Sequence, residues 1–182
     1  MISLVGMPGS GKSTVGRHVA RHIGLPFIDT DHMIEQRIGC SIRDYFETQG
    51  EAAFRDVEQT VIDEVTKLHA HVVATGGGAV LREANRLALH SRTTVVYLRS
   101  TPEDLARRLR HDSHRPLLQV GSDPLRRLRT LFQDRDPLYR RTAHFVIETG
   151  RPSVHSLVNM VLMQLELAGV VPGATDQRTA HP

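Results

Sequence analysis

A glycine-rich segment near the N-terminus constrains the fold of this chain more than any other feature. Residues 6–13 read GMPGSGKS and match the pattern G-x-x-x-x-G-K-[S/T]. The apolar run ISLV at residues 2–5 precedes the segment, and apolar residues at helical spacing follow it from residue 15 to residue 23. Strand, glycine loop and helix in this order are the context in which the pattern binds phosphates. The sequence therefore predicts a nucleotide-binding α/β fold, and a chance match in an ordinary turn is a poor alternative.

The segment carries residues suited to phosphate chemistry. Glycines allow main-chain N–H groups to approach the phosphates closely, and the N-terminus of the following helix adds partial positive charge. We expect Lys12 to contact the β- and γ-phosphates of a nucleotide such as ATP, and the Ser13 hydroxyl to bind one Mg²⁺ ion per chain. The predicted nucleotide-binding residues of the loop are Gly9, Ser10, Gly11, Lys12, Ser13 and Thr14.

Apolar runs and helical patterns alternate along the rest of the chain. Further strand candidates lie at residues 26–28, 72–74, 94–98 and 145–147. Helical spacing is clearest at residues 51–68 and 154–167. Short buried strands alternating with helices predict a three-layer α/β fold, in which a five-stranded parallel sheet has helices on both faces. We expect one domain over residues 1–170 and a disordered tail at residues 171–182, where the chain is polar.

Composition bears mainly on which partners can be excluded. Although the formal net charge is +3, only 4% of residues are aromatic and no recognition-helix or single-strand signature appears, which argues against a nucleic-acid partner. No apolar run approaches the roughly 20 residues of a membrane-spanning helix, and no signal-peptide pattern is present. We therefore predict a cytoplasmic monomer that binds small molecules and neither nucleic acid nor a membrane.

Two acidic residues, Asp29 and Asp31, follow the second strand candidate. Residues two apart share a face where strand geometry continues, and ligands bind at the carboxyl ends of strands in parallel α/β sheets. One carboxylate could hold Mg²⁺, while the other could orient an acceptor hydroxyl and take its proton. An Asx turn or a helix cap is the open alternative for this pair.

Three consecutive glycines and an arginine indicate a second ligand-binding region. Gly76, Gly77 and Gly78 follow a strand candidate and would let the backbone approach a ligand closely, although a plain tight turn is an alternative. Arg55 lies on the predicted long helix with Glu58 three residues further on. That spacing allows the carboxylate to hold the guanidinium group, but a solvent-exposed helix pair would have the same spacing.

Arginines are frequent between residues 107 and 151, which fits a segment that binds anions, although ordinary helix-surface arginines would give the same frequency. The helical pattern lapses over residues 111–123, and we predict that this stretch, which contains Arg115, is a mobile lid. An arginine on a closing lid would neutralise γ-phosphate charge while the lid excludes water. Arg135, two residues before the sequence PLY, is a further candidate anion ligand.

Six motifs are spread along the chain. They are GMPGSGKST at residues 6–14, FIDTD at 27–31, FR at 54–55, TGGGAV at 75–80, RPLL at 115–118 and an arginine with PLY at 135–139. In this order they are far more specific than the phosphate loop alone, and the chain resembles the shikimate kinase family from residue 2 to about residue 167. The resemblance implies a sheet of the nucleoside-monophosphate-kinase type. It also implies transfer of the ATP γ-phosphate to the 3-hydroxyl of shikimate, a step of chorismate and aromatic amino acid biosynthesis.

The resemblance implies roles for individual residues as well. The implied catalytic residues are Lys12, Asp31 and Arg115, and Lys12 and Arg115 would contact the γ-phosphate. The implied shikimate contacts are Asp31, Arg55, Gly76, Gly77, Gly78 and Arg135. The implied Mg²⁺ ligands are Ser13 and Asp29. Arg108 resembles the residue that packs on adenine, and Arg151 and Pro152 are further adenine-side candidates in a segment that matches the family only loosely.

Two other functions fit part of this pattern. A kinase of another small polyol or sugar acid, such as gluconate, would keep the phosphate loop and the lid but would need different substrate contacts. The DTD, GGG and RxPLY segments argue against it. A nucleotide-binding regulatory module without catalytic activity is the second alternative, and the full set of apparent substrate ligands argues against that one.

Overall fold

The computed structural model describes residues 1–109, 123–150 and 152–172 of the chain. Its centre is a five-stranded sheet with the order β2-β3-β1-β4-β5, in which every neighbouring pair is parallel. The strands are β1 Ile2–Val5, β2 Phe27–Asp29, β3 Val72–Ala74, β4 Thr94–Arg99 and β5 Phe145–Glu148. This sheet confirms the fold predicted from the alternation of strands and helices.

Seven α-helices connect and flank the strands in the described part of the chain. They are α1 Lys12–Ile23, α2 Thr30–Ile38, α3 Ile42–Val65, α4 Glu83–Arg92, α5 Pro102–Leu109, α6 Pro124–Thr142 and α7 Val154–Leu167. The helix predicted at residues 51–68 is the second half of α3, which begins nine residues earlier and is interrupted at Gly50. Gly50 has φ 83°, a left-handed conformation that glycine adopts without the steric cost of a side chain.

Alternate residues of the central strands face opposite layers of helices. Leu4 and Leu98 belong to one buried cluster, which the helices α1 and α7 cover. Val5 and Tyr97, their neighbours in the chain, belong to a second cluster formed with α3, α4, α5 and α6. Side chains of a strand alternate between its two faces, so strands buried on both faces read as the continuous apolar runs seen in the sequence.

The parallel arrangement places all five carboxyl ends of the strands at one edge of the sheet. The glycine-rich loop follows β1, the Asp-Thr-Asp segment overlaps the end of β2, and the glycine triplet follows β3. In the register of the sheet, Ala74 of β3 pairs with both Leu4 and Asp29. Three of the sequence motifs therefore meet at this edge, where parallel α/β proteins bind their ligands. None of the helices in the described ranges is both long and apolar enough to cross a lipid bilayer.

Candidate active site

The glycine-rich loop, which we call the P-loop, wraps around the start of α1. Gly11 precedes the helix with φ 92°, a left-handed conformation that favours glycine. Lys12 is the first helical residue and is only 7% exposed. Its ammonium donates hydrogen bonds to the main-chain carbonyls of Gly6 and Met7 at 2.9 Å each. The loop thus holds a buried cation at the N-terminus of a helix, where partial positive charge is also concentrated.

Asp29 joins the P-loop to the end of β2. Its Oδ2 accepts a hydrogen bond from Ser13 Oγ at 2.6 Å, and its Oδ1 accepts one from the main-chain N–H of Asp31 at 3.1 Å. Asp29 is therefore the N-cap of α2, as the capping alternative predicted, and it also contacts the P-loop serine. A hydroxyl and a carboxylate side by side are the hard oxygen ligands that Mg²⁺ takes in nucleotide sites, so these residues fit that ion.

Asp31 lies half-buried in the first turn of α2, two residues after Asp29. Burial and the neighbouring charge of Asp29 raise the pKa of Asp31 to about 6, although the ammonium of Lys12 opposes this shift. A carboxylate whose pKa lies near the working pH accepts a proton more readily than an ordinary exposed one. Such an environment would suit a general base.

The glycine triplet lies against Asp31 and against the P-loop. A Cβ atom at Gly76 would lie 2.5 Å from Asp31 Oδ1, and one at Gly77 would lie 2.6 Å from Pro8 Cδ. Both distances are shorter than real Cβ contacts: a side chain at Gly77 would meet a rigid proline ring, and one at Gly76 would displace the carboxylate of Asp31. In addition, the buried hydroxyl of Thr30 accepts a hydrogen bond from the Gly76 N–H at 3.2 Å. At the triplet the backbone after β3 therefore lies close to the end of β2 and to the P-loop, so the triplet is more than a tight turn.

Arg55 is held between two glutamates of its own helix. Its Nη1 donates to Glu58 Oε2 at 2.7 Å, and its Nη2 lies 3.1 Å from Glu51 Oε1. The side chains of Arg55 and Glu58 are 12% and 2% exposed, which rules out a solvent-exposed helix pair. Burial raises the pKa of Glu58, against the opposing charge of the guanidinium group. A Cβ at Gly78 would overlap the guanidinium group, so the third glycine leaves room for it.

Aromatic rings also confine Arg55. The guanidinium carbon lies 5.1 Å from the ring centre of Phe54 and 5.8 Å from that of Phe46, and the two rings contact each other. A guanidinium group at such a distance from a ring face is attracted to it. The ion pairs and the rings together leave Arg55 little rotational freedom.

Arg135 approaches the glycine triplet from α6. Its Nη1 donates a hydrogen bond to the carbonyl of Gly77 at 3.1 Å, and the hydroxyl of Tyr139 donates to the same carbonyl. Tyr139 is fully buried, and its ring stacks on Tyr97 of β4 with 4.9 Å between ring centres. Arg135 and Tyr139, which follow Gly77 by 58 and 62 positions in the chain, therefore meet at its main-chain oxygen.

Several of the side chains described above line one cavity of about 800 Å³. Its wall includes Lys12 and Ser13 of the P-loop, Asp31, the glycine triplet, and the two arginines Arg55 and Arg135. Such a volume is within the range of small-molecule sites. The positively charged side chains in the wall would bind an anionic ligand. The arrangement places a phosphate-binding loop, a basic carboxylate and two cations around the same space.

Arg108 lies near the opposite side of the sheet edge, between β4 and β5. Its Nη2 donates hydrogen bonds to the carbonyl of Thr149 and, at 3.3 Å, to that of Gly150. The half-buried Pro152 follows in the same connection to α7. The structure thus brings Arg108 to the segment that the sequence predicts on the adenine side.

Comparison with known proteins decides the family. Residues 8–166 match the family model for shikimate kinase. The chain belongs to the shikimate kinase family. A shikimate kinase of Paracidovorax citrulli is 61% identical over 174 residues, which cover 94% of each protein.

Solved structures agree with this assignment. The shikimate kinase of Acinetobacter baumannii in complex with shikimate has a TM-score of 0.85 and 46% identity, and the match covers 92% of this chain and 93% of that one. A gluconokinase of Sinorhizobium meliloti has a TM-score of 0.56 and 18% identity, with 99% and 97% coverage. The gluconokinase likeness shows a shared fold alone. As a member of the shikimate kinase family, the chain is an ATP-dependent kinase.

Several of the predicted residues lie outside the part of the chain that the structure describes. Arg115 and nearly all of the predicted lid at residues 111–123 are among them. Arg151 and residues 173–182 of the predicted tail are also outside the described ranges. The roles assigned to these residues in the shikimate kinase family pattern stay predictions.

Four residues of this shikimate kinase site were missed in the sequence. Thr30 and Tyr139 contact the glycine triplet, while Phe46 and Glu51 confine Arg55. Thr30 and Tyr139 stand inside two of the recognised motifs, and Glu51 stands four residues before Arg55, a spacing typical of helical ion pairs. Phe46 lies beyond the break at Gly50, and no local pattern connects it with Arg55.

Proposed function

We propose that this member of the shikimate kinase family transfers the γ-phosphate of ATP to the 3-hydroxyl of shikimate, giving shikimate 3-phosphate and ADP. This step belongs to chorismate and aromatic amino acid biosynthesis. The observation that supports the proposal most is the shared cavity, in which the P-loop faces Asp31 and two fixed arginines. Positioning of both substrates supplies much of the catalysis in phosphoryl transfer, and these groups provide it.

The two arginines are proposed to bind the carboxylate of shikimate. A guanidinium group is a planar fork of donors that matches a planar carboxylate in charge and shape. Arg55 is fixed by Glu58 on its own helix, and Arg135 is fixed to the carbonyl of Gly77. Because each arginine is already held by the protein, little side-chain entropy is lost when the substrate binds. Gly76, Gly77 and Gly78 complete this side of the proposed shikimate site.

Asp31 is proposed to orient the 3-hydroxyl and to accept its proton. Once the carboxylate has taken the proton, the substrate oxygen attacks the γ-phosphorus and ADP leaves. Lys12 would stabilise the negative charge on the phosphoryl oxygens, with Arg115 of the predicted lid as its counterpart. Lys12 and Asp31 both line the cavity, so the two groups face the same space.

Ser13 and Asp29 are proposed to hold the Mg²⁺ ion, whose role when bound is to neutralise charge on the β- and γ-phosphates. Their hydrogen bond places two oxygen ligands together beside the P-loop. Gly9, Ser10, Gly11 and Thr14 would bind phosphate with Lys12, while Arg108, Arg151 and Pro152 would contact adenine. The cytoplasmic location, the monomeric state and the mobile lid stay predictions from the sequence.

An assay of ADP release with different acceptors tests the function. Purified protein with Mg²⁺ and ATP is offered shikimate, gluconate or no acceptor in parallel. We expect ADP release to depend on shikimate. Release with gluconate alone would indicate the sugar-acid kinase, and release that no acceptor changes would indicate a regulatory nucleotide-binding module.

Removing either arginine is expected to weaken shikimate binding more than ATP binding. Arg55→Ala or Arg135→Ala should cost about 1.5 to 3 kcal/mol of shikimate binding free energy, the range for one charge-assisted hydrogen bond. Calorimetric titration of each variant with shikimate and with ATP measures the two affinities separately. Arg37→Ala is a matched control, because Arg37 forms an exposed ion pair with Glu64 at the far end of α3. Unchanged shikimate affinity in both cavity variants would contradict the assignment.

A further inference from the structure

Asp136, the residue after Arg135 in α6, accepts hydrogen bonds from three side chains. Tyr97 Oη and Arg99 Nε donate to its Oδ1 at 2.8 and 2.9 Å. Arg140 Nε donates to its Oδ2 at 2.8 Å. Because Tyr97 and Arg99 belong to β4, this carboxylate connects α6 to the sheet at the edge where the cavity lies.

The turn of α6 that carries Arg135 is weakened by a proline, so a connection to the sheet helps to hold it in place. Pro137 lies inside the helix and has no N–H group, so the carbonyl of Gln133 loses its helical hydrogen bond. The helix is weakened within two residues of the arginine. The position of Arg135 therefore depends on contacts with other elements more than on the helix itself.

Those contacts lie on both sides of Arg135. On one side Arg135 and Tyr139 bond to the carbonyl of Gly77. On the other side Asp136 bonds to Tyr97, whose ring also stacks on Tyr139. Asp136 is thus the anionic member of a set of side chains that holds one turn of α6 between the glycine triplet and β4.

Asp136 is present as a carboxylate at neutral pH. Burial would raise its pKa, but the hydrogen bonds from Arg140, Tyr97 and Arg99 outweigh burial and lower it. Arg99 is itself fixed, since it pairs with Glu148 of β5 at 3.0 Å. The side chain of Asp136 is 14% exposed, so water screens these interactions only in part.

We propose that Asp136 is a positioning residue for phosphoryl transfer, because it seats the turn of α6 that presents Arg135 to the substrate carboxylate. The cavity wall includes Arg135 but not Asp136, so Asp136 acts through its neighbour. This inference rests on the proposed role of Arg135 in shikimate binding.

The variant Asp136→Asn tests the inference with almost no change in shape. It removes the charge and places an amide donor opposite the donors that now surround the carboxylate. We expect the KM for shikimate to rise about three- to tenfold, the size of effect of a lost hydrogen bond, while kcat and the KM for ATP stay close to those of the unchanged protein. Tyr97→Phe keeps the ring stack but removes one donor, and a smaller rise in the KM for shikimate is expected.

Two further variants separate positioning from general loosening. Glu148→Gln weakens the other ion pair of Arg99 but leaves all the bonds of Asp136, so its kinetic constants should not change. In the double variant Arg135→Ala with Asp136→Asn, the KM for shikimate should be no higher than in Arg135→Ala alone.

The outcomes that overturn the inference differ from those that overturn the proposed function. If Arg135→Ala raises the KM for shikimate but Asp136→Asn does not, the positioning role is wrong and the proposed function stands. Equal rises in the KM for shikimate and ATP in Asp136→Asn, or additive effects in the double variant, also overturn the positioning role. An unchanged KM for shikimate in Arg135→Ala overturns both.

Discussion

Replacement of Asp31 by asparagine is expected to lower the turnover number by about 10²- to 10⁴-fold, the usual contribution of a general base. The amide has the shape of the carboxylate and still orients the acceptor hydroxyl, but it cannot take the proton. ATP affinity should change little, because the P-loop residues that bind the phosphates are intact. Turnover at saturating ATP and shikimate, together with a direct ATP titration, measures both effects.

The pH dependence of activity tests the role of Asp31 independently of the mutation. Protonated Asp31 cannot accept the hydroxyl proton, so activity should fall as the pH drops through about 6, the raised pKa of this carboxyl. Carboxyl ¹³C NMR of the free protein, with Asp31→Asn to assign the resonance, measures that pKa without turnover. Titration of the Asp31 resonance near its ordinary value of 3.8 would contradict the environment described here.

The variant Asp31→Asn should also be more stable than the unchanged protein. The folded state favours protonated Asp31, so between pH 3.8 and about 6 the folded chain binds more protons than the unfolded one and stability falls as the pH rises. Asparagine resembles the protonated form and avoids this loss, which is about 2 to 3 kcal/mol at pH 7 for a shift of this size. Urea unfolding at pH 7.5 and pH 5 should show a larger gain at pH 7.5. A variant that is both inactive and less stable would indicate misfolding instead of a lost base.

Local patterns predicted the central strands of this fold well, because these strands are buried on both faces. The apolar runs at β1, β3 and β4 are visible in the sequence for that reason, and the P-loop follows β1 directly. The helix α2 is mostly polar, so its apolar residues give no clear period, and it was not predicted. The helix predicted at residues 51–68 begins directly after Gly50, and the apolar pattern did not connect it across that glycine with the first half of α3.

The candidate site was predictable as a set of residues but not as an arrangement. Motif spacing identified Arg55 and Arg135, yet their order in the chain gives no sign that both lie against the glycine triplet. The burial of Glu58 and the contact of Pro8 with Gly77 are tertiary facts, since they arise from the packing of α3 and the P-loop at one sheet edge. Only the packed structure shows what a side chain would meet at each of these three successive positions.

Replacement of Gly77 by alanine is expected to lower the turnover number by about 10²-fold, the loss that a displacement near 1 Å causes in an active site. The new Cβ would meet Pro8 Cδ at 2.6 Å and Pro8 Cγ at 2.7 Å. A proline ring in the P-loop cannot turn aside as a flexible side chain can, so the loop and the triplet must separate. The carboxylate of Asp31 and the P-loop then lose their alignment. Overpacking of this kind also costs about 1 to 3 kcal/mol of stability, which urea unfolding measures alongside the kinetics.

Two other glycine substitutions show whether separation of the P-loop from the glycine triplet causes the loss of turnover in Gly77→Ala. Gly76→Ala meets the movable end of the Asp31 side chain, so turnover should fall while stability changes little. Gly150→Ala is the matched control outside the triplet, because its Cβ has only Asp104 Oδ2 nearby, at 3.8 Å, and neither measurement should change much. Full activity in Gly77→Ala would mean that the P-loop can move away from the triplet without harm. The alignment of Asp31 with the P-loop would then not depend on their contact through Gly77, and the geometry proposed for the transfer would be wrong.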